Sequence, residues 1–218
     1  MSFQELVVSS FPVLLAGLRT TLLLTLASVV LAVVVGLPIA VMRTSAIAPL
    51  RWVAHGYIAV VRGVPLIALM FVIYFGIVSV LRVDAFTAGA LGLGIHTSAY
   101  VAEIFRSGFL AVPRGQTEAA RSIGMSRVVT VRRVVGPQAI RVVIPALANQ
   151  MIITLKDSAV ASFITVDELF LRAQRLSAAN FQPLAFYVIV SFYYLIVVGL
   201  MTLGANRMER AFSKGHVR

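Results

Sequence analysis

Residues 22–42 read LLLTLASVVLAVVVGLPIAVM, a run without one charged side chain. About 20 apolar residues of helix cross the hydrocarbon of a bilayer, so this stretch alone points to a membrane protein. Gly36 and Pro38 do not argue against a helix, because membrane helices tolerate both; Pro38 is expected to bend it. The remainder of the chain agrees. Of its 218 residues 60% are hydrophobic and 12% charged, and the mean hydropathy is +0.96. A soluble domain of this length carries about twice that charged fraction. Working outward, a lead-in at 11–21 skims the membrane, and four further apolar windows follow at about 63–81, 85–105, 142–165 and 184–205. Pro65 is expected to bend the second. No repeat period and no low-complexity linker divides the chain. The expectation is a single all-α transmembrane domain over residues 1–218, with about five helices. The first ten residues, MSFQELVVSS, hold no Lys or Arg, whereas a cleavable signal opens on a cationic segment. The first span is therefore expected to be retained.

The cations set an orientation. With the N-terminus outside and the C-terminus inside, fourteen Lys and Arg fall on inner segments: Arg43, Arg51 and Arg62, then seven between Arg106 and Arg141, then Arg207, Arg210, Lys214 and Arg218. Arg19, Arg82, Arg172 and Arg175 fall outside, and Lys156 lies within a span. Such a bias on short loops is a topology signal. It assigns most of the +11 net charge to the inner leaflet rather than to nucleic acid, and no aromatic-plus-basic reader pattern accompanies it. With no cysteine in the chain, there is no disulfide framework and no thiolate metal site; no metal-binding residues are expected.

The inner loop at 106–141 holds the most cationic stretch, RGQTEAARSIGMSRVVTVRR. Pro113 ends the helix arriving from the membrane. Thr117 is the expected N-cap, which puts Glu118 in a first turn where a carboxylate complements the helix dipole. Ala119, Ala120 and Ile123 then share a small, weakly apolar face. Gly124 suits the position after the helix end, and Ser126 caps a second helix that Gly136-Pro137 closes. Two readings fit the residues: an amphipathic helix on the inner leaflet, or a docking helix whose small side chains admit another protein's backbone.

Glu118-Ala119-Ala120, three residues, Gly124, nine residues, then Val134-x-Gly136-Pro137 resembles the EAA signature of bacterial ABC-importer permeases, usually written EAA-x3-G-x9-I-x-L-P. Val stands for Ile and Gly for Leu at its end. The resemblance extends over nearly the whole chain, to the polar amino-acid permeases of the histidine, glutamine and arginine uptake type. GLRTTLLLTLASVVLAVVVGLPIAVMR, VRGVPLIALMFVIYFG, SAYVAEIFRSGFLAVPRGQTEAARSIG and PQAIRVVIPALANQMIITLKDSAV carry it. It implies a five-helix permease subunit that pairs with a second, a paralogue or a copy, in the bacterial cytoplasmic membrane. It also implies two cytoplasmic ATPase subunits and an extracytoplasmic solute-binding protein. The loop becomes a coupling helix through Glu118, Ala119, Ala120 and Gly124. The chain has no G-x-x-x-x-G-K-[ST] phosphate loop, so it is not expected to be an enzyme or to bind a cofactor; ATP and Mg belong to the partner ATPase.

Charged groups inside spans mark functional candidates, with structural ion pairs as the rival reading. His96, Tyr100 and Glu103 follow i, i+4, i+7 and share a helix face. Glu103 pairs with Arg106 three residues on, or lines the path. Lys156 and Asp157 point about 100° apart on a helix, and Glu103 is the acidic candidate for Lys156. Asp157 with Ser158 either receives a ligand ammonium or caps a helix break. The resemblance implies the ligand role, and makes His96, Tyr100, Glu103, Asp157 and Ser158 the substrate-path candidates, with Arg106 and Lys156 as structural charges. His96 stands where the family usually has Asn, adding a titratable ring. His55 and His216 are read as surface or tail residues. The function expected is import of a polar amino acid or close derivative. The alternatives are a secondary transporter or channel for small polar solutes, for which no inverted repeat is visible, and an intramembrane enzyme, for which no nucleophile–base pattern appears.

Overall fold

The structure, a computed structural model, describes the backbone of residues 2–81 and 83–213 and the side chains of 2–76 and 83–210. Arg82, Lys214, His216 and Arg218 lie outside these described residues. Among them the chain is helical throughout, and its organising element is α1, Phe3–Thr44. Ser2 and Glu5 form a reciprocal capping box at its start, which satisfies two otherwise orphaned N–H groups. At 1.5 Å per residue this helix is about 63 Å long, twice what the first span requires. The lead-in expected at 11–21 is thus part of the same helix, Pro12 and Pro38 included.

The side of α1 that is buried bears small residues three or four positions apart: Thr21, Thr25, Ser28, Ala32, Gly36 and Ala40. Apolar surface gives little drive for helices to associate in lipid, so close backbone packing matters instead. The mate is α4, Ala85–Leu110, capped by Asp84 accepting from the Thr87 N–H at 3.2 Å. A Cβ on Gly36 would come within 2.8 Å of the Ser98 carbonyl, and one on Gly94 within 2.7 Å of Leu31. The two helices therefore meet at backbone distance, and α4 becomes the best-enclosed helix of the bundle.

The second span differs from expectation. Residues 48–63 and 66–81 form two helices, α2 (Ala48–Gly63) and α3 (Leu66–Leu81), bent by 106°. Pro65 was expected to bend a helix; it and Val64 separate two. Helix α2 lies where the sequence predicts an inner loop, with Ile58 and Val61 buried on Ala99 and Ala102 of α4 and on Ala40 of α1.

After α4 comes α5, Arg114–Ser122. It starts three residues before the expected N-cap: Pro113 occupies that place, Thr117 is inside the helix, and Glu118 sits beyond the first turn. Gly124 has φ +83°, the left-handed conformation that suits glycine after a helix end. Ser126 accepts from the Val129 N–H as a true cap.

The expected stop at Gly136-Pro137 is overturned. Helix α6 (Arg127–Thr130) passes through a widened π turn, Val131–Val135, into α7, Gly136–Asp157, and on through a 3-10 segment, Ser158–Ile164. The chemistry of proline explains the widening. Pro137 has no N–H to give the carbonyl four residues back, and the Gly136 N–H instead reaches Val131, five back. A Cβ at Gly136 would lie 2.8 Å from that carbonyl oxygen, so glycine is what the widened turn accommodates.

Helix α8, Leu169–Asn180, was not foreseen; α9, Pro183–Ser213, runs longer than its predicted window. Among the described residues three stretches are long and apolar enough to cross a bilayer, Phe3–Thr44, Arg127–Ile164 and Pro183–Arg210, and the bent pair qualifies jointly; α4, where the third span was expected, is not among them. Among the described residues, three small clusters of buried apolar side chains are strung along α1. One joins Leu6 and Leu14 to α8 and α9, a middle one joins Leu24 to α3, α4 and the 3-10 segment, and the third joins Ala40 to α2 and α4.

Candidate functional site

Helix α4 carries its polar residues along one line because their spacing follows the helical period. The His96 and Tyr100 rings lie 5.3 Å apart between centroids. One turn on, Glu103 is held at both carboxylate oxygens: Arg43 Nε at 3.0 Å and Arg106 Nε at 2.8 Å. The i, i+3 pair with Arg106 is thus present, but the second cation comes from the end of α1. Lys156, for which Glu103 was the expected partner, is exposed elsewhere on α7, and the two make no ion pair. Arg43 also touches the ring of His55, so that exposed histidine sits against the C-terminal end of α1.

Helix α7 faces this line. Thr97 and Thr154 hydroxyls meet at 3.3 Å between the two helices, and a groove of about 380 Å³ opens beside them, lined by Tyr100, Glu103, Ser107 and Gln150 with Val142 and Ala146 as apolar wall. The guanidinium of Arg62, at the end of α2, enters the same groove 5.0 Å from the Tyr100 ring centroid. Such a cation over a ring face is held by the ring's quadrupole.

Asp157, the last residue of α7, is half-buried and within electrostatic reach of His96 and Lys156. The Nδ1 atom of His96 is buried without a hydrogen-bond partner among the described residues. Ser158 is not brought to the groove: it is fully buried, and its hydroxyl donates to the Leu155 carbonyl at 2.7 Å. His96, Tyr100, Glu103 and Asp157 therefore share the α4–α7 side, while Ser158 and Lys156 do not. The arrangement can bind opposite charges along one polar strip. Among the described residues no cluster of His, Cys, Asp or Glu could hold a metal ion.

On the loop, Glu118, Ala119, Ile123 and Gly124 are exposed, but Ala120 is buried. The shared face expected for Ala119, Ala120 and Ile123 is thus split. Gln138 and Gln116 side chains meet at 3.4 Å, tying α5 to the start of α7.

Sequence reasoning missed Arg62, which reads as one more inner-side cation; its position just before a Gly-Val-Pro break was the available signal. Glu168 was also missed. It is fully buried and accepts from the Phe170 and Leu171 N–H groups at 2.9 and 2.7 Å, from Thr21 at 3.1 Å and from Tyr194 at 3.3 Å.

Comparison with known proteins agrees with this architecture. Residues 32–214 match the family described as the binding-protein-dependent transport system inner membrane component. The L-cystine transport system permease protein TcyB of Bacillus subtilis is 38% identical over 96% of this chain and 91% of its own. The probable amino-acid ABC transporter permease protein YckA of the same organism is 35% identical over 96% and 93%. A crystal structure of an amino acid ABC transporter with histidines superposes with TM-score 0.90 at 39% identity, covering 97% of this chain and 99% of that one. The chain belongs to the family of binding-protein-dependent transport system inner membrane components, the non-catalytic permease subunits of ABC importers.

Proposed function

We propose that this permease carries a polar amino acid or close derivative into the cytoplasm as one of a pair, a copy or paralogue completing the path. ATPase subunits that bind ATP and Mg drive it from the cytoplasm, and an extracytoplasmic binding protein delivers the solute. The orientation proposed is five spans with the N-terminus outside and the C-terminus inside, supported by the distribution of arginines. The observation that carries the reading is the polar strip on α4 and α7. Tyr100 and Glu103 line a groove that is open on the single chain, as half of a path between two subunits would be, and His96 with Asp157 continues the strip beyond it. Relatives named for amino-acid and cystine transport support the substrate class. Glu118, Ala119 and Gly124 are exposed at the loop tip, where a coupling helix presents itself to an ATPase; Ala120 supports the tip from beneath.

The test is reconstitution with the ATPase, the second permease and the binding protein encoded alongside, followed by ATP hydrolysis across the twenty L-amino acids and their amides. Stimulation by at least one of them, sensitive to vanadate, is expected. No stimulation by any would overturn the substrate class. Uptake by this chain alone in liposomes would overturn the ATP-driven mechanism.

A further inference from the structure

The groove holds a charge that its own walls do not balance. Arg43, Arg62 and Arg106 gather around one carboxylate, Glu103, and both oxygens of that carboxylate are already taken by Arg43 and Arg106. Arg62 makes no ion pair among the described residues. Its recorded partner is the Tyr100 ring, which orients the guanidinium without neutralising it. A guanidinium presents its donors in a planar fork that fits a carboxylate in bidentate fashion. Beyond the groove wall, His96 lies one turn along α4 from Tyr100, about 6 Å along the axis, and there the sign reverses: the Asp157 carboxylate at the end of α7 is within electrostatic reach of His96.

We propose that Arg62 is the residue that recognises the carboxylate of the transported solute, so that a zwitterion lies in the α4–α7 groove with its carboxylate towards Arg62 and its ammonium towards Asp157. The proposal rests on the amino-acid reading above and adds the direction in which the molecule lies. With a charge-assisted hydrogen bond of about 2.8 Å at each end, an α-amino acid bridges a separation of one helical turn. Tyr100 sets the plane of the fork. Glu103, saturated by its two clamps, is not free to compete for Arg62 and leaves that guanidinium to the ligand.

The test uses the assembled, nucleotide-free transporter in nanodiscs, without binding protein, so that only the membrane site is read. The probes are the amino acid that best stimulates ATP hydrolysis in the panel above and its α-carboxamide, both tritiated, in equilibrium binding. Wild type is expected to prefer the acid by about tenfold or more, the value of one charged hydrogen-bonded contact. R62Q should lose that preference, weakening the acid by about tenfold and leaving the amide nearly unchanged, while R62K restores part of it. Equal weakening of acid and amide in R62Q would show a merely structural role and overturn the proposal, as would an undiminished preference for the acid. If R62Q does not assemble, R62K carries the test: an acid preference as large as in wild type overturns the proposal, and a reduced one supports it. If no amino acid stimulates the wild-type transporter, the substrate class fails before Arg62 is tested.

Discussion

Two glutamates hold the two ends of this bundle, and they are satisfied by opposite means. At the end where α1 meets α8 and α9, Glu168 is sealed from solvent and meets only neutral donors: two N–H groups at the start of α8, the hydroxyl of Thr21 on α1 and that of Tyr194 on α9. At the opposite end, by the C-terminus of α1, Glu103 keeps about a fifth of its side chain exposed and is bound by two guanidiniums, from α1 and from α4. Neutral donors with fixed geometry make a directional, salt-insensitive latch. Two arginines at a partly wet site make a link that responds to ionic strength and can exchange partners. The Glu168 end is built as a fixed joint among α1, α8 and α9, and the Glu103 end as an adjustable one.

Substitutions at four positions break or sharpen that contrast. The largest effect is expected from Glu168→Ala, which removes a helix cap and leaves buried donors without an acceptor. About 3 kcal/mol, or roughly 6–12 °C in the melting temperature of the purified protein, should be lost. The loss should be the same in low and high salt, and a change under about 2 °C would remove the latch from the account. Glu103→Ala leaves Arg43 and Arg106 facing each other at a partly screened site and should cost about 1.5–2 kcal/mol in dilute buffer. Half of that should vanish in 0.5 M KCl, given a Debye length near 4 Å there. A cost indifferent to salt would erase the distinction between the two ends. Gly136→Ala drives a methyl against the Val131 carbonyl and should cost about 1–2 kcal/mol, read as a lower melting temperature with the groove charges intact. The smallest effect belongs to Gly124→Ala. Nothing lies within 4 Å of the added carbon, so only the left-handed backbone resists, by about 1 kcal/mol. ATPase co-purification should survive that change and be lost in Gly124→Leu; retention in both would detach Gly124 from docking.

Long, uniformly apolar runs announced themselves. The window at 22–42 was visible because length and the absence of charge suffice for that judgement, and the ends of α1 were not, because a helix can extend past the bilayer on polar residues without any break in its period. Helices α2 and α8 escaped for the complementary reason: they are short and mixed in polarity, and their place depends on packing against Ala40, Ala99 and Leu14. The His96–Tyr100–Glu103 line was legible from period alone, as were Gly124 after the helix end and Ser126 as a cap. Thr117 failed as a cap because the helix already begins at Arg114, directly after Pro113, and takes Thr117 into its interior. The partners of Glu103 divided in the same way. Arg106 is a local neighbour, whereas Arg43 is sixty positions away and is brought near only by the glycine and alanine seam between α1 and α4. Glycine-proline was read as a stop because a proline usually interrupts α hydrogen bonding; the chain instead absorbs it by widening one turn.

That widened turn has a consequence for how the molecule tolerates change in length. Along the rod from Arg127 to Ile164, each residue gained or lost rotates everything beyond it by about 100°. A deletion between Gln138 and Leu155 would therefore swing Asp157 away from His96. Within Val131–Val135 the turn already stores one surplus residue. Deleting a valine there, in a chain whose Pro137 is replaced by alanine, would return the turn to the ordinary pitch and leave Asp157 on its present side. The loop and the groove are thus joined by a shaft whose phase is fixed everywhere except at one link.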